Sequence, residues 1–266
     1  MTDHVAIVTG ANHGIGAGTA RALAANGVAV LSTYLRPADP PDPAQREEYR
    51  TNRAATADRV VGDIVAAGGR ALAMEADLSD PATSAALFDR AEADLGPADI
   101  LVNNASGWVQ DTFTPVTTDR FGRTMRGVSY ETWSRQFAVD AMAPALLIAE
   151  FARRHVARGA TWGRLIGLTS GGPAGFPTEV SYGAAKAAQE NYVMSAAQEL
   201  APYGITANIV YPPVTDTGWV NDEVRRAVAE GATHTHIATG EEVGRVIAYL
   251  ASEAADLISG SVVRMR

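Results

Sequence analysis

The chain contains no cysteine, which excludes disulfides, thiolate metal sites and cysteine nucleophiles. It has no apolar run near the ~20 residues that a membrane-spanning helix requires. It has no excess of positive charge either. Its 22 Lys and Arg stand against 30 Asp and Glu, a formal net charge of -8, which argues against a nucleic-acid backbone as the main partner. Internal repeats, domain linkers and low-complexity tracts are missing. No basic stretch or cleavage site precedes the first apolar segment, so a cytoplasmic location is expected. What remains is 266 residues, 47% hydrophobic and 20% charged, enough for a sizeable core and read as one domain over residues 1–266.

Short apolar runs alternate with longer amphipathic ones. Strands are predicted at Val5–Thr9, Val28–Thr33, Ala71–Glu75, Ile100–Asn103, Leu165–Leu168, Thr206–Val210 and Ser261–Arg264. Helices are predicted at Ile15–Asn26, Ala55–Ala67, Pro81–Leu95, Tyr130–Arg158, Tyr182–Tyr203 and Glu241–Ser252. The alternation implies an α/β fold, a doubly wound parallel sheet of about seven strands with helices on both faces. Ligands in such sheets bind beyond the carboxyl ends of the strands. Three segments interrupt the rhythm: a proline-rich, charged Arg36–Asn52, read as an exposed loop with a polar turn of helix; a mixed Gly107–Gly127; and Thr217–Thr239, read as a partly helical lid.

Two motifs carry chemistry. Thr9-Gly10-Ala11-Asn12-His13-Gly14-Ile15-Gly16 is a glycine turn between a strand and a helix. Its spacing is Gly-x-x-x-Gly-x-Gly, where the commoner fingerprint is Gly-x-Gly-x-x-Gly. Glycines let the backbone approach a pyrophosphate, and the helix N-terminus offers free N–H groups. Far along the chain, Tyr182 and Lys186 stand four residues apart, on one face of a helix. An ammonium there holds the phenol near ionisation, so the tyrosine can trade a proton. A proton donor with a dinucleotide cradle suggests hydride transfer. The second strand ends in Thr33-Tyr34-Leu35-Arg36, without the carboxylate that holds the ribose of NAD. Arg36 suits a 2′-phosphate, with His13 a basic neighbour. NADP(H) is therefore favoured, with NAD(H) the alternative. His234 and His236 resemble half a metal site with no third ligand, and no metal is expected.

These residues resemble the single-domain short-chain dehydrogenases/reductases over nearly the whole chain, and the 3-oxoacyl-carrier-protein reductase type most closely. The resemblance implies that the turn, including Gly10, Asn12, His13, Gly14, Ile15 and Gly16, binds the nucleotide. It implies an adenine contact at Asp77-Leu78 and cofactor contacts at Asn103-Asn104-Ala105, with Ser106 replacing the family's glycine. It implies a catalytic serine at Ser170, the active pair at Tyr182 and Lys186, and nicotinamide-side contacts at Pro212, Val214 and Thr217. In the reductive direction Tyr182 would give its proton to a substrate carbonyl oxygen and Ser170 would hold that oxygen. Lys186 would lower the tyrosine pKa and bind the nicotinamide ribose.

Three departures from the family pattern stand out. Asp140 occupies the position of an asparagine whose main chain holds a water linking the lysine to solvent. Pro213 replaces a glycine and lacks its N–H. The terminal Val263-Arg264-Met265-Arg266 lacks the family's Asp-Gly-Gly. They motivate a rival reading, an NADP(H)-binding pseudoenzyme that acts as sensor or scaffold. An epimerase or dehydratase is a third reading. By the resemblance, Tyr130–Arg158 and Tyr182–Tyr203 pair across a two-fold axis into a homodimer or homotetramer. The substrate is read as a small carbonyl or alcohol whose identity the chain does not reveal.

Overall fold

The structure is a computed structural model and describes residues 1, 3–36, 46–171, 175–231 and 236–266. The strands are β1 (Val5–Val8), β2 (Ala29–Tyr34), β3 (Ala71–Glu75), β4 (Ile100–Asn103), β5 (Gly163–Leu168), β6 (Ile205–Tyr211) and β7 (Val262–Arg264). They form one seven-stranded sheet in the order β3-β2-β1-β4-β5-β6-β7, parallel throughout. This is a Rossmann fold. The order reverses between β1 and β4, so a crevice opens beyond their carboxyl ends. β1, β4 and β5 are buried at every position, which is why they read as unbroken apolar runs.

Helices α1 (Gly14–Ala25), α2 (Glu47–Ala54), α3 (Asp58–Ala66), α4 (Thr83–Asp94), α5 (Tyr130–Phe137), α6 (Ala143–Ala157), α7 (Val180–Glu199), α8 (Asp222–Glu230) and α9 (Gly240–Leu250) surround the sheet. Two apolar clusters fill its two faces, one under α1, α3 and α9, the other under α4, α6 and α7. α1 and α9 touch through glycines: a Cβ on Gly18 would stand 2.2 Å from the Gly240 carbonyl oxygen. α9 starts at a reciprocal capping box between Thr239 and Glu242. No helix among the described residues is long and apolar enough to cross a membrane.

Two predicted elements differ. The helix predicted over Tyr130–Arg158 is three pieces, with a π-helical segment at Ala138–Met142 between α5 and α6. Pro144 explains it. Its nitrogen cannot donate to the carbonyl of Asp140 four residues back, and the ladder shifts to the wider spacing seen from Ala143 N–H to Ala138 C=O. Secondly, only part of Arg36–Asn52 is described. That part holds most of α2, the polar helical turn expected there, which folds back over the crevice instead of standing exposed. The helix predicted at Ala55–Ala67 begins at Asp58, beyond a break after Ala54. The Thr217–Thr239 segment does contain a helix, α8, whose Val224 and Val228 pack with Val220 against Phe121, Val214, Trp219 and Ile237.

Candidate active site

Helix α7 positions the reactive pair. Its first turn is held by Asp111, which accepts from the Ser181 N–H at 2.8 Å and from its hydroxyl at 2.5 Å. A buried carboxylate suits the positive end of a helix. Tyr182 follows directly. One turn later the Lys186 ammonium lies 5.8 Å from the centre of the Tyr182 ring. Ser170, two residues beyond β5, hydrogen-bonds the Tyr182 phenol through its hydroxyl. The structure thus brings Ser170, Tyr182 and Lys186 together at the carboxyl end of β5.

Asp140 joins them. The π-helical turn points it inward, where Oδ1 lies 2.9 Å from Lys186 Nζ. Its Oδ2 accepts from Gln136 Nε2 at 2.6 Å, Gly107 N–H at 2.8 Å and Ser106 Oγ at 3.2 Å. Lys186 also donates to Gln189 Oε1 at 3.0 Å, and Gln189 donates to the Asn103 carbonyl at 3.1 Å. Lys186 and Asp140 are 2% and 0% exposed, so each supplies the counter-charge that burial demands. An ammonium has three protons to donate; one goes to Gln189, and Asp140 supplies the counter-charge. The consequence for Tyr182 is the reverse of the sequence expectation. Its pKa is raised above the ordinary phenol range, first by burial, then by the negative charges of Asp140 and Glu179; the Ser170 hydrogen bond opposes this.

The residues around the glycine turn fit a dinucleotide. Gly10 and Gly14 have φ of 63° and 54°. A Cβ on Gly16 would lie 2.1 Å from the Gly10 carbonyl oxygen, and one on Gly14 would lie 2.5 Å from Thr217 Cγ2. Asn104 ties β4 to the turn through Nδ2, at 2.8 Å from the Thr9 carbonyl and 3.0 Å from that of Gly10. The Ala105 N–H donates to Thr9 Oγ1. α1 begins right after His13, with its first N–H groups turned to the crevice end. Asn103 Oδ1 is buried with no partner, an acceptor for a bound hydroxyl. Asp77 holds Ser79 in a tight turn at the end of β3, and Leu78 is buried beneath it. Ile15 packs on the core under α1. Pro212, Val214 and Thr217 follow β6, across from the turn.

Other predicted residues are differently engaged. Arg36 is exposed and forms a two-pronged pair with Glu75, Nη2 to Oε2 at 2.6 Å and Nε to Oε1 at 3.0 Å. His13 is half-buried beside Arg53, and both effects lower its pKa from 6.5 to about 4, desolvation the more. His234 lies outside the described residues, and His236 pairs with Glu242. Trp108 and Trp219 do border the crevice: Trp108 Nε1 donates to Glu179 at 2.9 Å, and Arg123 stacks between the two indoles. Sequence reasoning missed Gln136, Gln189, Glu179 and the place of α2 over the crevice. Gln189 had one available signal, its place one turn beyond Lys186.

The family described as "Enoyl-(Acyl carrier protein) reductase" matches residues 10–265. The chain is 31% identical over 264 residues to the "Uncharacterized oxidoreductase YjdA" of Bacillus subtilis, covering 98% of this chain and 94% of that protein. It is 30% identical to the "3-oxoacyl-[acyl-carrier-protein] reductase" of Synechocystis sp., covering 98% and 94%. The crystal structure of the angucycline C-6 ketoreductase LanV with bound NADP aligns with a TM-score of 0.79 at 29% identity, over 99% of this chain and 94% of that one.

Proposed function

The chain belongs to the short-chain dehydrogenase/reductase family and is an NAD(P)-dependent oxidoreductase, and from that premise we propose that it interconverts a carbonyl and a secondary alcohol with NADP(H), Tyr182 being proton donor and acceptor. One observation carries the reading: the convergence of Ser170, Tyr182 and Lys186 beside the glycine turn at one end of the sheet.

Bound nicotinamide supplies the hydride. Everything else falls to the chain's own residues. The glycine turn and the start of α1 hold the phosphates, with Thr217 facing them. Asp77 and Leu78 bound the adenine side, and Asn103, Ala105, Pro212 and Val214 the nicotinamide side. Ser170 positions the substrate oxygen and stabilises charge on it. Tyr182, with its raised pKa, keeps its proton at neutral pH and delivers it to that oxygen, which suits the reductive direction. A proton of Lys186 that Gln189 does not take is free for the nicotinamide ribose. Asp140 orients Lys186 as its counter-charge, and its own negative charge opposes ionisation of Tyr182. The NADP preference is supported by the NADP held in the similar ketoreductase and by the lack of a carboxylate within Thr33–Leu35.

The test is consumption of NADPH across a panel of ketones. Wild-type turnover that Tyr182→Phe abolishes supports the reading. Tight NADPH binding with no turnover on any ketone would instead favour the sensor or scaffold, and product without NADPH loss an epimerase or dehydratase. A homo-oligomer is proposed from α6 and α7, which frame a cavity of about 300 Å³ lined by Ala145, Ala149, Tyr192 and Ala196. A covering partner helix pair would fill it, and light scattering reads the assembly.

A further inference from the structure

The inserted helix α2 bridges the two walls between which a dinucleotide's phosphates must pass. On one wall the glycine turn clasps its carboxyl end: Asn12 Nδ2 donates to the carbonyls of Asn52, Arg53 and Ala55 at 3.1, 3.4 and 2.9 Å. On the other wall Asn52 Nδ2 donates to the Thr217 carbonyl at 3.4 Å, and Arg46 donates to the Val220 carbonyl. Gly218 packs so closely beneath α2 that a Cβ there would stand 3.0 Å from Asn52 and 3.1 Å from the Tyr49 nitrogen. Tyr49 points inward, its ring centre 6.2 Å from that of His13 and 6.3 Å from that of Trp108.

Several cations around this crevice are already paired. Arg36 meets Glu75, Arg123 meets Asp119 and Glu179, Lys186 meets Asp140, and Arg225 meets Asp216. Arg53 forms no ion pair among the described residues. It lies close enough to the Tyr49 phenol and the His13 imidazole, two uncharged groups, to act on both. His13 is kept neutral by burial and by Arg53 itself, so it adds no second cation. In a chain of net charge -8, a part-buried guanidinium without a carboxylate is suited to an anion that arrives from outside. Arg36, paired with Glu75 and exposed, is less suited.

We propose that Arg53, delivered by the inserted helix, is a direct ligand of a phosphate group of the dinucleotide. The inference rests on the nucleotide-binding part of the function proposed above. The same chemistry is offered by the 2′-phosphate of NADP(H) and by the pyrophosphate common to both cofactors, and affinity for the two cofactors separates them. NADPH and NADH binding to the full chain is measured by cofactor fluorescence for wild type, Arg53→Met and Arg53→Lys. Loss of one charge-assisted, forked contact weakens NADPH binding about tenfold or more in Arg53→Met, and Arg53→Lys recovers part of it. If NADH binding stays level, the group is the 2′-phosphate; if it weakens equally, the group is the pyrophosphate. Unchanged affinity for both cofactors in Arg53→Met overturns the proposal, as does equal weakening in Met and Lys variants, which marks packing. Wild type that binds neither cofactor refutes the underlying function as well, whereas wild type that binds NADPH with Arg53→Met unchanged refutes this inference alone.

Discussion

Lys186 belongs to the catalytic wall of the crevice and Arg53 to the helix that crosses it, and their surroundings differ in kind. Lys186 is the only lysine in the chain. It is buried, paired with Asp140, and braced by Gln189; Asp140 in turn has three further donors. Arg53 sits on a short helix held mainly through main-chain carbonyls and lacks a carboxylate among the described residues. The Lys186–Asp140 pair is neutral before any ligand binds, because a group that governs a proton must have its charge and orientation set in advance. The nucleotide wall leaves donors and a positive charge to be completed by an anion that comes and goes.

That contrast can be broken most severely at Tyr182. Tyr182→Phe should lower kcat by about a thousandfold, within the 10²–10⁴ that proton transfer contributes, while NADPH affinity changes little; stopped-flow turnover and fluorescence titration read the two effects. Next comes the neutral pairing itself. Asp140→Leu strands a buried ammonium and should destabilise the fold by about 3–5 kcal/mol, visible in the denaturant midpoint. Asp140→Asn is the gentler version. It preserves shape and removes the charge that raises the Tyr182 pKa. The phenolate should then form at lower pH, moving the rise of alcohol oxidation to lower pH. Selective ¹⁵N labelling of lysine should give a single Nζ resonance for Lys186, which reports the loss of its carboxylate directly.

On the nucleotide side the effects are smaller. The folded His13 resists protonation down to about pH 4, against 6.5 for an ordinary histidine. Between those values the unfolded chain binds a proton that the folded chain refuses, so stability falls as pH drops through that window. His13→Asn should flatten this acid-side loss in thermal scans from pH 7 to pH 4. The smallest change is expected for Glu75→Gln. The pair it breaks is exposed, so the thermal midpoint should hold, and NADPH should bind slightly more tightly as Arg36 is released. A large loss of affinity there would restore Arg36, paired as it is, to the centre of phosphate recognition.

Much of this architecture was legible along the chain. Six of the seven strands start within one residue of where apolar runs placed them; β5 starts two residues early, at a glycine and the buried Arg164 that carry no apolar signal. The glycine turn was legible because its positive φ values at Gly10 and Gly14 are local requirements. The π-helical turn was hidden inside a good helical period, although Pro144 marks it once its missing N–H is considered. The place of α2 was hidden for a different reason. Glu47–Ala54 buries no residue fully, so no apolar stripe announces it, and it is held by contacts to Asn12, Thr217 and Val220 that are distant in sequence.

The sequence by itself determined the strands, the glycine turn, and Tyr182 and Lys186 on one helical face. Each depends on neighbours within a turn of helix or a strand's length. Only the tertiary structure decided which charges meet. Asp140 reaches Lys186 because a π turn in one helix packs against another, and Glu75 takes Arg36 because β2 and β3 lie side by side. Arg53 is left for an anion because α2 sets it beside Tyr49 and His13, with no carboxylate among the described residues paired to it. Such pairings act across space between elements far apart in the chain, and no local period encodes them.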